Sequence, residues 1–516
     1  MGMNGFHQTF CRVSRQVQLS QFRGKRKPLV CDTQLYLNRN SRGTYGSLAD
    51  SDTPPNIKKI ALDSLIKLTT KFLDCGIALP IHVFDGKTPD LKRKCVDKRS
   101  KDKYIASELC ETASDKSTDE YSRNFKRTFY LTKDVMETCR QFLRATGVTV
   151  IKAHGEADSQ LAALSRHYDL GVLTEDSDIL LFGGVNIYKD FMLKNNTLNE
   201  YTLIELLQFL LQKTNVIREN NNLSPIDEIG RENLIDFAII SGTSYGDSIS
   251  IITNGSGSLP KNIMREKLFE AYVLNDMNII KMVQWMYDEN NKGKPESYKI
   301  PPDFIDQWHN ERNNYLNENV INPGDIDISL SSPNPDKILA LYEPENDYEI
   351  RMLNNLIEKL QHNYKIHQTM MEANLICMLS EFKQNLLNNY HKFRMMNEFD
   401  FKSYSFKMIH MLRTEHNIYQ SSIKKDLLSL IMRIYKNINK VPNDNIESFI
   451  IDMIFDLEVK YKISHIKDHS RPISLPSSLS SYQLRYAQHK LRHICRSEHT
   501  SKYSDEFTQA IQIHSP

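Results

Sequence analysis

The chain has 516 residues, with 66 Lys and Arg against 64 Asp and Glu, a net charge of +2. That near-neutral sum excludes a bulk polycation that coats nucleic acid and still allows local basic patches. No run of about 18 apolar residues occurs, so no membrane-spanning helix and no membrane partner are expected. The N-terminal stretch MGMNGFHQTF lacks the apolar segment of a secretory signal. Phe6 breaks the myristoylation pattern after Gly2. The eight cysteines include no CxxC pair. A disulfide framework or zinc site is therefore not expected, and a reducing, intracellular compartment fits.

Residues 1–190 alternate short apolar runs with amphipathic stretches. Pro28–Cys31 leads into Asp32, and Ile81–Phe84 leads into Asp85. Thr149–Ile151 leads to the turn at His154-Gly155, and Leu170–Leu173 leads to Glu175-Asp-Ser-Asp178. Helical periodicity lies between them at Ile60–Leu73, Lys133–Ala145 and Glu156–Arg166. Strands alternating with helices predict an α/β parallel sheet. From about 200 the pattern is helical at Leu203–Leu211, Leu234–Ile240, Pro260–Leu274 and Ile279–Met286. Residues 287–337 read as loops with short helices. A helical region follows over roughly 347–460, then a Ser/Pro-rich linker at Leu475–Ser481 and a basic tail.

The apolar runs end in acids: Asp32, Asp85, the pair Asp176 and Asp178, and the pair Glu156 and Asp158 that opens a helix. Strand C-termini of a parallel sheet share one edge, where ligands bind. Each Asp taken alone also reads as a turn residue or helix N-cap. The pairs shift the balance, because like charges placed together need a cation. Carboxylates and water suit Mg²⁺, with Mn²⁺ as a substitute. Two such ions about 3.5–4 Å apart activate water for phosphodiester cleavage. Beside these acids, Lys87–Lys103 holds eight Lys and Arg and three Asp, a net of +5. Lys92 and Arg99, seven apart, would share one helix face.

At this point the motifs resemble the flap endonuclease/XPG-type 5′ nucleases. IHVFDGKTPDLKRKCVDKRS (81–100), HGEADSQLAAL (154–164) and GVLTEDSDILLFG (171–183) are similar to that family's N-terminal and internal signatures. The opening MGMNGF is similar to its Met-Gly-x-x-Gly start. Segments 300–323 and 342–353 resemble those after its nuclease core, so the likeness runs over about residues 1–360. It implies a PIN-like or Rossmann-like α/β sheet core flanked by helices, with a helical C-terminal extension. The domains expected are a core over 1–200 with a helical arch about 88–135, and a helical DNA-binding part over 201–360. A helical extension at 361–474 and a basic tail at 475–516 complete the chain.

The resemblance assigns roles. Asp32, Asp85, Glu156 and Asp158 match the first metal site, and Asp176 and Asp178 match the second. Asp85 and Asp178 also count as catalytic, with Lys92 and Arg99 on the scissile phosphate. Gly2, Lys92, Arg99, Lys133, Gly255, Gly257 and Lys261 are the expected DNA contacts. The last three lie in a helix–two-turn–helix-like segment about 235–275, which in the family also holds K⁺ through carbonyls. One departure stands out. Ser244 occupies the place of a seventh acid in Ser241–Tyr245, with Asp247 the candidate replacement. The activity implied is metal-dependent, structure-specific 5′ cleavage of flap or branched DNA in replication, recombination or repair. A non-catalytic branched-DNA scaffold and an RNA-directed 5′ exonuclease are the competing readings. A monomer is expected, in the nucleus or at a viral replication site in the cytoplasm. No sliding-clamp peptide is expected, since Gln420–Ile423 lacks its aromatics.

Overall fold

A computed structural model of the chain describes residues 13–466, apart from 24–26, 50, 52–53, 117, 193–194, 244, 247, 254–256, 293–295, 318, 417, 419 and 443–444. Strand β1 (Arg15–Gln18) precedes β2 (Val30–Asp32), helices α1 (Thr33–Gly46) and α2 (Ile57–Asp74), and β3 (Ile81–Phe84). A 3-10 turn at Asp90–Lys92 leads into α3 (Arg93–Glu111), α4 (Asp119–Thr128) and α5 (Lys133–Ala145). Then come β4 (Val150–Lys152), α6 (Ala157–Tyr168), β5 (Val172–Leu173), the short α7 (Asp178–Leu181), β6 (Asn186–Met192) and β7 (Thr197–Thr202).

The sheet order is β1-β7-β6-β5-β2-β3-β4. The strands from β6 to β4 pair in parallel, and β7 and β1 add an antiparallel edge. Strands β2 and β3 are buried at every residue, as helices on both faces require. The chain runs outward from β2 through β3 to β4, then returns to β5 on the other side of β2. That reversal opens a crevice at the strand C-termini. Strands β1, β6 and β7 went unpredicted because polar residues interrupt their apolar runs. Tyr188, for example, donates to Glu200 across the β6–β7 hairpin at 2.7 Å.

Beyond the sheet lie α8 (Leu203–Asn220), α9 (Arg231–Ser241), β8 (Ser250–Thr253), β9 (Gly257–Ser258), α10 (Lys261–Leu274), α11 (Ile279–Asn290), β10 (Glu296–Lys299) and α12 (Phe304–Leu316). One expectation is corrected here. The segment between α9 and α10 is not a bare pair of turns: β8 and β9 pair antiparallel, and β10 extends them into a second sheet. The loops and short helices expected over 287–337 also include a strand, β10. Asn290 pins β10 by accepting from Tyr298 N at 2.7 Å and donating to Tyr298 O at 2.8 Å, and Trp285 packs on the Tyr298 ring. These side-chain bonds leave no periodicity to read.

The chain divides into two compact units. The first comprises Met1–Asp325 with Pro333–Lys359, and includes α13 (Pro335–Tyr342). The second comprises Ile326–Ser332 and the chain from Leu360. The 49-residue α14 (Asp347–Met395) gives its first turns to the first unit and the rest to the second. In the second unit, α14 is joined by α15 (Glu398–Glu415), α16 (Ser421–Ile438) and α17 (Ile446–Ile466). These four build their own core. Leu379, Phe382 and Leu386 meet Ile409, Leu412, Leu427, Ile431 and Ile450, spaced at three and four along each helix.

Candidate active site

All six carboxylates flagged by sequence follow a strand C-terminus of the parallel sheet. Asp32 ends β2 and caps α1. Its Oδ1 accepts from Leu35 N at 3.1 Å, so the bland N-cap reading is correct as far as it goes. Its Oδ2 accepts from Thr174 Oγ1 at 3.1 Å, which ties β2 to the end of β5. Thr174 Oγ1 also accepts from Asp176 N at 2.9 Å, and Asp176 Oδ1 accepts from Asp178 N at 3.1 Å. Thr174 therefore sets the Asp176–Asp178 turn against Asp32.

The other pair is fixed by the loops after β3 and β4. Gly86 N donates to Gly155 O at 2.7 Å, and Lys87 N donates to His154 O at 3.1 Å. This brings Asp85 to the N-terminus of α6, where its Oδ1 accepts from Ala157 N at 2.8 Å. Only glycine fits at position 86, because a Cβ would lie 1.9 Å from Ala153 O. Gly86→Ala is expected to lower folding stability by about 2–3 kcal/mol, since backbone must part to admit it. Urea unfolding midpoints measure this.

Electrostatics show how closely the groups crowd. Asp32 is pushed up to about 7, by burial first and then by the charges of Asp85 and Asp176. Asp178 is pushed up to about 8, by burial and then Asp176, against the attraction of Lys92. Asp158 rises for burial and for the charges of Asp176 and Asp32, and Asp85 rises for burial and for Glu156. Carboxylates from all four strand ends thus repel one another.

Lys92 supplies the balancing charge. It closes the 3-10 turn before α3 and is only 8% exposed. Its Nζ donates to Glu156 Oε1. Burial disfavours its charge, but Asp158 and Glu156 outweigh burial and hold its pKa above the ordinary lysine range. Tyr245 completes the arrangement: its hydroxyl donates to Glu156 Oε2, and its ring lies 5.2 Å from Lys92 Nζ. Sequence reading did not single out Thr174 or Tyr245. The one available signal was position, Thr174 inside the Thr-Glu-Asp run and Tyr245 beside Ser244.

The remaining expected residues scatter. Arg99 lies along α3, half-buried, where it and Arg42 add to burial in lowering Lys103. Lys133 and Lys261 open α5 and α10, both exposed. Gly257 lies in β9. Gly2, Ser244, Asp247 and Gly255 fall outside the described residues.

The donor set fits a hard divalent cation, being all oxygen, buried and mutually repelling. Among the described residues, no three Asp, Glu, His or Cys side chains already form a metal cage. The Lys92 ammonium lies on Glu156 instead, doing part of a cation's electrostatic work.

Carboxylates gathered at the switch point of a parallel sheet define the class: an α/β core with a candidate metal site. The XPG N-terminal domain matches residues 1–106, and the XPG I-region matches residues 147–244. Flap endonuclease 1 of Glycine max is 29% identical over 309 residues, covering 58% of this chain and 70% of that protein. Flap endonuclease 1 of Plasmodium falciparum is 26% identical over 319 residues, covering 59% of this chain and 43% of that protein. Among solved structures, the catalytic core of Rad2 in complex with DNA substrate aligns loosely. Its TM-score is 0.46 at 18% identity, over 70% of this chain and 99% of that one. The chain thus carries matches to both XPG nuclease domains and is similar over its first part to flap endonucleases.

Proposed function

We propose that this chain is a metal-dependent, structure-specific 5′ nuclease that hydrolyses phosphodiesters in flap or branched DNA. The observation that carries this is the convergence of four carboxylate-bearing strand ends around the buried Lys92. The family is generally metal-dependent, and Asp32, Asp85, Glu156, Asp158, Asp176 and Asp178 are the residues that would hold Mg²⁺ or Mn²⁺. When bound, such ions activate water and stabilise the leaving oxygen. The chain's own residues do the rest. Glu156 is held by Tyr245 on one oxygen and Lys92 on the other, so its orientation is fixed before substrate arrives. Lys92 carries a full positive charge in a water-poor site, placed to meet a phosphate oxygen and the charge that builds on it. Arg99 and Lys103 of α3, with Arg42 of α1 close by, steer the phosphate backbone toward this point.

Offering the purified protein a 5′-flap duplex tests this reading. Cleavage in Mg²⁺ that stops in EDTA supports it. Tight binding without cleavage in either Mg²⁺ or Mn²⁺ would instead assign a DNA scaffold, and preference for an RNA 5′ end would assign an RNA exonuclease.

The raised carboxyls give a pH dependence of known sign. A carboxyl whose pKa is raised on folding stabilises fully below its ordinary value near 4, and this is lost as pH climbs through its folded value. For Asp32 and Asp178 the loss runs to about 7 and about 8. A divalent cation takes the place of those protons, because its ligands must be deprotonated. Mg²⁺ is therefore expected to raise the melting temperature more at pH 8.5 than at pH 6, as read by thermal-shift fluorimetry.

A further inference from the structure

The second unit presents a helix face that its own core does not use. On α15, Phe399, Ser403, Phe406 and His410 recur at spacings of four, three and four, along one side. Phe399 is 80% exposed and Phe406 is 51% exposed, while Phe401, Met408, Ile409 and Leu412 turn into the core. Exposed Lys402 and Lys407 flank the two rings. Across α15, Lys402, Lys407 and Arg413 are matched by Glu398, Asp400 and Glu415, with the acids confined to the two ends of the helix.

A cation of the next helix bears on this side. After burial, the buried Arg413 of α15 itself and Lys424 of α16 hold His410 below the usual histidine range. Lys436 lies near enough to Glu398 to help keep that carboxyl low. Lys402 pairs with Glu398 at 2.6 Å, but an exposed pair of this kind contributes little and yields to a phosphate. The rings sit seven residues apart, about 10 Å along the axis. A protein-docking face concentrates apolar groups and depletes lysine at its centre. Two exposed rings on one face, with Lys402 between them in sequence and Lys407 beside the second, are instead a pattern that stacks bases and follows phosphates in a single strand.

We propose that this face of α15 is a single-stranded DNA contact separate from the nuclease crevice, with Phe399 and Phe406 stacking bases and Lys402 and Lys407 meeting phosphates. The proposal rests on the reading that the chain acts on branched DNA, whose flaps present single strands.

The test measures anisotropy of a labelled dT30 oligonucleotide with the full chain in EDTA, alongside cleavage of a duplex with a one-nucleotide 5′ flap in Mg²⁺. For Phe399→Ala/Phe406→Ala, the dT30 dissociation constant is expected to rise at least tenfold, since each stacked base is worth about tenfold or more. Phe399→Trp/Phe406→Trp should restore binding. Short-flap cleavage by both variants should stay within twofold of wild type. Lys402→Gln/Lys407→Gln should reduce the slope of log affinity against log salt by about 1.4. Unchanged dT30 affinity in a folded alanine variant overturns the proposal, as does a shift from dimer to monomer in that variant without loss of dT30 binding. If wild type binds dT30 in the ring-dependent way but cleaves no flap, the nuclease reading fails and this contact stands.

Discussion

Replacing Asp178 with Asn is expected to abolish cleavage and to raise the melting temperature of the metal-free protein. The two effects have opposite signs because one carboxylate serves two balances. In the apo fold, Asp178 is buried beside Asp176, and that cost outweighs the attraction of Lys92, which is why its pKa ends near 8. Asn keeps the shape and removes the charge. The stability gain should grow from about pH 4 and level off near pH 8, reaching about 2–4 °C or more. Cleavage should fall at least about 10³-fold, because a neutral amide is a poor partner for a hard cation. Melting curves in EDTA at pH 5, 7 and 8.5, with single-turnover cleavage in Mg²⁺, read both effects. A variant that is less stable at pH 8.5 would show that the carboxylates do not repel as described.

Lys92→Met is expected to lose both stability and activity. The ammonium is a charge that Asp158, Glu156 and Asp178 share, and both it and Glu156 are about 10% exposed at the side chain. Removing one partner of a buried pair strands the other, at a cost on the order of 3 kcal/mol. Cleavage should drop about 10²–10³-fold, the usual effect of deleting a group that stabilises transition-state charge. The double variant Lys92→Met/Glu156→Gln separates the two losses. It should regain part of the stability, since Glu156 no longer carries a stranded charge, and none of the activity. Recovery of cleavage in the double variant would show that Lys92 serves folding alone.

Much of this site was legible because the chemistry lies next to the strands that carry it. Ile81–Phe84 reads as a buried strand and Asp85 follows it directly, so predicting the strand placed the acid. The same holds for Asp32 after β2 and for Asp176 and Asp178 after β5. What escaped was set by distance in sequence. Tyr245 reaches Glu156 across 89 residues, and Thr174 reaches Asp32 across 142. Neither bond leaves a periodic trace. The same reason hid β10, whose partner strand is the distant β8, with Tyr298 opposite Ile251. Lys92 was flagged for its charge. Its burial and its ion pair with Glu156 emerged only from the fold, because a basic run ordinarily reads as a solvated face.

Titrating Mn²⁺ into wild type and Asp32→Asn/Asp176→Asn, with free ion followed by electron paramagnetic resonance and flap cleavage assayed on the same samples, tests the central claim most directly. The predicted result is that wild type takes up Mn²⁺ and cleaves. The folded double variant should take up little and cleave nothing. Cleavage by that variant at the wild-type rate would contradict the account.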